Sequence, residues 1–203
     1  VMAMAPEVLI LDEPTSMLDP LAARNLLQAV KRINRELGVA VILCEHRLEE
    51  VFQDADRVIV MDKGQVLRAG TTKEVFADPR TCTAAQLTGC KNILPCTRVD
   101  AHTVRLAGWE KTLRLEALVP EHCTAVGIRA HDFTPCAPES ENALPVNAVS
   151  SSENPFDWNL MCDAPDDSTR LWWKVSKPTL TSPPPAAPQF LSVKPENIMP
   201  LQK

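Results

Sequence analysis

The sequence predicts an α/β region followed by a small all-β barrel, in a chain of 203 residues. Two continuous apolar runs, at 7–11 and 39–44, are typical of strands in a parallel sheet covered on both faces. After about residue 88 the pattern changes to short alternating segments separated by Pro, Gly, Asn and Ser. We therefore expect two domains, at 1–87 and 88–203.

A helix is predicted between the two apolar runs. Asp19 is suited to cap its first turn, Pro20 to begin it, and Gly38 to end it in a left-handed turn. Its apolar stripe has helical spacing. The stripe consists of Leu26, Leu27, Val30, Ile33 and Leu37.

The rest of the first region is predicted to hold a helix around 47–54, a hairpin within 57–70 and a short helix near 71–77. The hairpin turns at Asp62, Lys63 and Gly64. In the second region, strands are predicted within "TVRLA", "TLRLEAL", "TAVGIR", "FDWNLMC" and "RLWWKV".

Two features of the second region have specific expectations. The proline-rich stretch 177–189 predicts an extended loop between late strands, with a proline-ligand motif as the less favoured alternative. Trp172 and Trp173 are adjacent, so on a strand they point to opposite faces, one buried and the other partly exposed.

Composition excludes several classes of protein. A formal net charge of −5 with scattered basic residues argues against a nucleic-acid-binding surface. The longest apolar runs are much shorter than the roughly 20 residues of a membrane helix. Seven cysteines without a C-x-x-C pair favour a reduced protein without structural zinc. The opening "VMAMAPEV" has no signal-peptide pattern and suggests a chain cut from something longer.

Asp12 and Glu13 follow the first apolar run directly. The carboxyl ends of parallel strands face the crevice where α/β folds bind ligands. Because successive residues point to opposite sides, one carboxylate can hold hydrated Mg²⁺ while the other orients or deprotonates a water. His46 ends the second run at the same edge and could donate to a terminal phosphate. The structural alternatives are a solvated strand end and a capping or core histidine.

Three segments together resemble the ATP-binding subunits of ABC transporters. "LILDEP" resembles their Walker B segment, "SMLD" their D-loop and "CEHRLEE" their switch-histidine loop. The stretch "DADRVIVMDKGQVLRAGTTKEVFADP" also resembles the part that follows in that family. The resemblance covers residues 1 to about 87 and implies part of a P-loop NTPase sheet.

The resemblance implies a role for each residue at this edge. Asp12 would lie beside Mg²⁺ through a water, Glu13 would be the catalytic carboxylate, and His46 would contact the γ-phosphate of ATP. Ser16 and Asp19 would lie at a dimer interface that encloses two ATP molecules, which makes them nucleotide-binding candidates. The implied partners are a second copy and transmembrane permease subunits, which would hold the protein on the cytoplasmic face of the membrane.

The sequence contains neither the phosphate-binding pattern G-x-x-x-x-G-K-[ST] nor the family's Leu-Ser-Gly-Gly-Gln signature or Q-loop. In the family all three precede the Walker B segment. We therefore expect the C-terminal part of a family member, which alone would not hydrolyse ATP. Its apolar runs 7–11 and 39–44 would then lack neighbours.

The second region resembles the TOBE regulatory barrel of importer ATPases, in "LTGCKNI", "VGIRAHDF" and "FLSVKPENIMPL". It is most similar to the molybdate, tungstate or sulfate branch, and importers of other solutes are the next alternative. A regulatory oxyanion site would draw its donors from Arg129, Lys174 and Ser150–Ser152, although these residues could simply solvate barrel edges.

The sequence therefore predicts the ATP-hydrolysing subunit of an ABC importer for an oxyanion such as molybdate. The alternative is a solute-sensing regulatory barrel attached to vestigial ATPase residues. An ABC ATPase of repair or translation is disfavoured by the importer-like barrel and the scattered basic residues.

Overall fold

The computed structural model describes residues 6–45, 54–166 and 169–203. His46 therefore lies outside the described residues, and so does the predicted helix at 47–54 except for its last residue. The chain divides into two compact units, Val1–Val58 with Gly70–Thr72, and Ile59–Ala69 with Lys73–Lys203. The domain boundary between residues 87 and 88 stays a prediction, because compactness alone does not define a homologous domain.

The first part of the chain contains both strands and helices. Its elements are β1 (Val8–Asp12), α1 (Pro20–Leu37), β2 (Ala40–Cys44), β3 (Arg57–Asp62), β4 (Gln65–Thr71), α2 (Thr72–Ala77) and α3 (Cys82–Leu87). The predicted hairpin is confirmed, and its turn residues Lys63 and Gly64 have positive φ angles of 48° and 76°. The helix near 71–77 is confirmed as α2, whereas α3 was not predicted.

The remaining elements are strands joined by turns, apart from one 3₁₀ turn at Pro195–Asn197. They are β5 (Asn92–Arg98), β6 (Thr103–Leu106), β7 (Thr112–Arg114), β8 (Ala125–Ile128), β9 (Thr134–Pro135), β10 (Leu144–Pro145), β11 (Asn147–Glu153), β12 (Asp157–Asp163), β13 (Arg170–Ser176), β14 (Phe190–Ser192) and β15 (Ile198–Leu201). All five predicted strand segments contain a strand. The proline-rich stretch is the predicted loop, between β13 and β14.

In the first unit, β1 and β2 pair in parallel, with Val8 opposite Ala40 and Asp12 opposite Cys44. The connecting helix α1 has the predicted ends. Asp19 caps its first turn, and Gly38 ends it in a left-handed conformation with φ 67°. The strand, helix, strand unit is therefore confirmed, except that Leu37 of the predicted stripe is exposed.

The prediction that both faces of the parallel pair are covered is wrong for the described residues. Val8, Ile10 and Ile42 are 49%, 66% and 51% exposed, and burial alternates along both strands. The reason is that, among the described residues, this sheet contains only the two strands β1 and β2. The exposure agrees with the expectation that these apolar runs lack neighbours.

In the second unit, strands from three sheets line one hydrophobic core. The sheets have the orders β15-β8-β5-β6-β7, β11-β12-β13 and β10-β14-β9. Leu94, Phe133 and Leu171 are among the side chains in that core. Trp173 is buried and Trp172 is 37% exposed, as their adjacency predicts. The β character predicted for residues 88–203 is confirmed apart from one 3₁₀ turn among the described residues, whereas a closed barrel of the TOBE type stays a prediction.

Buried asparagines connect these sheets. The Asn92 side chain donates to the carbonyl oxygens of Ile128 (3.1 Å) and Trp172 (2.9 Å), and it accepts from the Trp172 N–H at 2.6 Å. Asn142 has a similar role. Its side-chain oxygen accepts the Arg114 N–H, and its side-chain nitrogen donates to the carbonyl oxygens of Arg114 and Val193. Each amide satisfies backbone groups that water cannot reach.

Replacement of Asn92 by Ala should lower the free energy of unfolding of the second unit by about 3 kcal/mol, because buried backbone groups lose their partners. All four tryptophans lie in this unit, so urea unfolding followed by tryptophan fluorescence measures the change. Asn159→Ala is the matched control. The Asn159 amide donates to Asp157 Oδ1 at 3.4 Å, and Asn154 donates to the same oxygen at 2.8 Å, so Asp157 keeps a partner when Asn159 is replaced. Equal unfolding of the two variants would contradict the connecting role of Asn92.

Candidate active site

The candidate site lies at the carboxyl edge of the parallel pair in the first unit. Asp12 is the last residue of β1, and its side chain is exposed. The pairing continues one residue further, because the Glu13 N–H donates to the Cys44 carbonyl oxygen at 2.9 Å. The exposed Glu13 therefore starts a turn directly beside the end of β2.

The turn after β1 is held by several hydrogen bonds. Glu13 has φ 42°, a left-handed conformation that costs a residue with a side chain about 1–2 kcal/mol. The Glu13 carbonyl oxygen accepts from the Ser16 N–H at 3.2 Å and from the Ser16 hydroxyl at 2.9 Å. The Leu18 N–H donates to the Thr15 carbonyl oxygen at 3.1 Å. The position of the Glu13 carboxylate thus depends on this turn.

Sequence reasoning missed a buried contact behind the turn. Thr15 is fully buried, and Glu45 Oε1 accepts its N–H at 3.0 Å and its hydroxyl at 2.6 Å. The other carboxylate oxygen, Oε2, is buried and has no hydrogen-bond partner among the described residues. The signal in the sequence was an acidic residue at the end of the second strand, between Cys44 and His46.

The structure places the other predicted residues as follows. Asp19 Oδ1 accepts the N–H groups of Leu21 and Ala22, both at 2.9 Å, so its carboxylate caps α1. The roles of Ser16 and Asp19 at a dimer interface stay predictions. His46 lies outside the described residues, so its contact with a phosphate also stays a prediction.

The chemistry of Asp12 fits a hydrated Mg²⁺. Magnesium usually keeps several waters and takes one or two carboxylates together with substrate phosphates. An exposed carboxylate at a strand end can supply such a contact through water. Within residues 6–45, 54–166 and 169–203, no cluster of three or more acidic, His or Cys side chains is arranged to hold a metal. A Mg²⁺ held through Asp12 would need phosphate and water to complete its coordination.

The residues predicted to bind an oxyanion are occupied by other contacts in the second unit. Arg129 donates to the carbonyl oxygens of Thr88 (2.9 Å) and Phe76 (2.7 Å), and its guanidinium lies 3.6 Å from the centroid of the Phe76 ring. Phe76 belongs to α2 and Thr88 follows α3, so Arg129 satisfies the carboxyl ends of two helices. Burial lowers the pKa of this guanidinium.

Lys174 and the three serines also give little support to an anion site. The Lys174 ammonium forms an ion pair with Asp157 Oδ2 at 2.9 Å. Ser150–Ser152 lie on the exposed strand β11. Arg129 and Lys174 therefore serve other contacts, and Arg129 in particular is a structural residue.

Comparisons with known proteins agree on a class. No family model matches the chain. The energy-coupling factor transporter ATP-binding protein EcfA2 of Lactiplantibacillus plantarum is 43% identical over 110 residues, which are 54% of this chain and 36% of that protein. The Fe(3+) ions import ATP-binding protein FbpC 2 of Rhizobium meliloti is 32% identical over 157 residues, covering 77% of this chain and 40% of that protein.

The chain is a homologue of the ATP-binding subunits of ABC transporters. It spans 36% and 40% of the length of these two relatives. The 157 residues aligned with FbpC 2 exceed the predicted first domain, so the similarity continues into the all-β region. A solved structure of cbiO1 from Clostridium perfringens, part of the ABC transporter complex cbiONQ, is 40% identical over 38% of this chain and 31% of that chain, with a TM-score of 0.36.

The resemblance to ABC transporter ATP-binding subunits is thus confirmed, while the molybdate branch is not shown. The names of the relatives refer to energy-coupling factor and Fe(3+) transport instead. No helix among the described residues is long and apolar enough to cross a lipid membrane.

Replacement of Asp19 by Ala should destabilise α1 by about 1 kcal/mol, because two N–H groups of its first turn lose their acceptor. Asp19→Asn should retain most of the stability, since an amide oxygen can accept the same bonds. Hydrogen exchange at the Leu21 and Ala22 amides measures the change. Unaltered exchange in Asp19→Ala would show that the cap does not stabilise the helix.

Proposed function

We propose that the protein is the ATP-binding and ATP-hydrolysing subunit of an ABC importer. The observation that best supports this proposal is the position of Asp12 and Glu13 at the carboxyl edge of two parallel strands. The turn after β1 is hydrogen-bonded to the end of the second strand. Homology to ATP-binding subunits supports the same class of activity. The cofactors of this proposal are ATP and Mg²⁺.

The proposed roles of Asp12 and Glu13 use their positions at the carboxyl edge, and those of His46, Ser16 and Asp19 follow the resemblance to the family. Mg²⁺ neutralises phosphate charge when it is bound with ATP. Asp12 holds one of its waters. Glu13, whose side chain leaves the chain on the other side, orients or deprotonates the attacking water. His46 contacts the γ-phosphate, and Ser16 and Asp19 lie near a second copy of the subunit.

The proposed partners are a second copy of the subunit and transmembrane permease subunits on the cytoplasmic face of the membrane. The relative cbiO1 is described as part of a transporter complex, which supports this assembly. Among solutes, the ferric-ion relative aligns over most of the chain and favours a metal-ion importer. An oxyanion such as molybdate is less supported, since Arg129 and Lys174 are committed to other contacts.

Glu13→Gln, made in the assembled transporter, should lower the ATP hydrolysis rate by at least about a hundredfold and leave ATP binding intact. The amide keeps the shape of the side chain and removes its ability to take a proton. Steady-state phosphate release and nucleotide binding measure the two effects. Glu7→Gln is the control, because Glu7 is an exposed carboxylate just before β1. Wild-type turnover in Glu13→Gln would remove Glu13 from its proposed role.

The 203-residue chain by itself should show no saturable binding of Mg²⁺-ATP in isothermal titration calorimetry. The physical reason is that Asp12 and Glu13 supply negative charge, while phosphates need N–H groups and a lysine around them. The sequence contains no G-x-x-x-x-G-K-[ST] segment to provide these groups. Saturable binding would mean that other residues of the chain form a phosphate site. Saturable binding of molybdate to the same chain would favour the solute-sensing alternative.

A further inference from the structure

We propose that Glu45 is a positioning residue, which holds the turn that carries Glu13 in the geometry needed for hydrolysis. This inference rests on the proposed function of Glu13. It assigns to Glu45 a task that acts through Thr15, without contact between Glu45 and the reacting atoms.

Strand register brings Glu45 to the turn. Asp12 lies opposite Cys44, and the Glu13 N–H still bonds to the Cys44 carbonyl oxygen at 2.9 Å. The next residue after Cys44 therefore lies beside the residues that follow Glu13. A parallel neighbour is the nearest rigid element from which a side chain can reach this turn.

Glu45 holds Thr15 by two hydrogen bonds to a single carboxylate oxygen. Oε1 accepts the Thr15 N–H at 3.0 Å and the Thr15 hydroxyl at 2.6 Å. Thr15 is completely buried and Glu45 is half-buried, so both bonds are part-buried. Hydrogen bonds that are partly shielded from water in this way are stronger than fully solvated ones. We call this contact the Glu45–Thr15 tie.

At its start the turn is joined to β2 by the Glu13 N–H, which donates to the Cys44 carbonyl oxygen at 2.9 Å. Ser16 and Leu18 donate to carbonyl oxygens three residues earlier, which shapes the turn locally. Glu13 has φ 42°, a conformation that persists only where the surroundings enforce it. The Glu45–Thr15 tie, between residues 30 apart in sequence, joins the turn to the end of β2.

The second oxygen of Glu45 adds an independent observation. Oε2 is buried and has no hydrogen-bond partner among the described residues. Burying a carboxylate oxygen without a hydrogen-bond partner is costly. The tie itself uses Oε1 only. An amide oxygen could accept the same two bonds, so Glu45→Gln separates the tie from the charge.

The test compares Glu45→Ala with Glu45→Gln in the assembled transporter. Glu45→Ala should lower kcat for ATP hydrolysis by about tenfold or more and change KM by less than about twofold, because a loosened turn misplaces Glu13. Glu45→Gln should retain kcat within about threefold of the wild type. Wild-type turnover in Glu45→Ala, or equal losses in both variants, would overturn the positioning role.

The Glu45–Thr15 tie can also be tested in the 203-residue chain by a measurement that does not depend on ATP hydrolysis. Hydrogen exchange at the Thr15 amide should accelerate by about tenfold or more in Glu45→Ala and stay slow in Glu45→Gln. Unchanged exchange in Glu45→Ala would overturn the tie. If the wild-type transporter hydrolysed no ATP, the proposed function would fail, and the exchange experiment would still decide whether the tie exists.

Two substitutions at Thr15 keep the proposal testable if Glu45→Ala does not fold. Thr15→Val removes the hydroxyl bond at nearly constant volume and should give part of the kcat loss and part of the faster exchange. Thr15→Ser keeps both donors and is the matched control. Equal behaviour of the Val and Ser variants in both measurements would contradict a role for the hydroxyl in the Glu45–Thr15 tie.

Discussion

The parallel register of β1 and β2 is the constraint on which the candidate site depends. It brings Asp12, Glu13 and Glu45 to one edge, although the two strands are separated by an 18-residue helix. A parallel connection must cross back along the sheet, which the capped helix α1 accomplishes. A shift of one residue in this pairing would turn every side chain of one strand to the other face of the sheet and move Glu45 away from Thr15.

The second unit is organised by a different kind of constraint, which is the need to satisfy buried backbone groups. Asn92 and Asn142 connect strands through their amides, and Arg129 serves the carboxyl ends of two short helices. This use of Arg129 explains why a basic residue in an importer-like motif need not bind an anion. A guanidinium has five donors, and a buried one must find acceptors within the fold.

Local chemistry carried much of the sequence prediction. Asp19, Pro20 and Gly38 mark both ends of α1, and Gly64 marks the turn of the β3–β4 hairpin, because capping and left-handed turns require particular residue types. Continuous apolar runs identified β1 and β2. Coverage was mispredicted, since an apolar run shows that a face can be buried and does not show what buries it. Ile10 illustrates this, because it has the pattern of a core residue and is 66% exposed.

The sequence by itself determined the strand, helix, strand unit and the hairpin of the first region, the acidic edge at Asp12 and Glu13, and the class of homologues. These depend on residue types at short spacing and on a motif that is contiguous in the chain. Only the tertiary structure decided that Glu45 reaches Thr15 and that Arg129 serves helix ends, because both contacts join residues 30 to 53 positions apart. Long-range partners depend on register and packing, and sequence spacing carries no record of either.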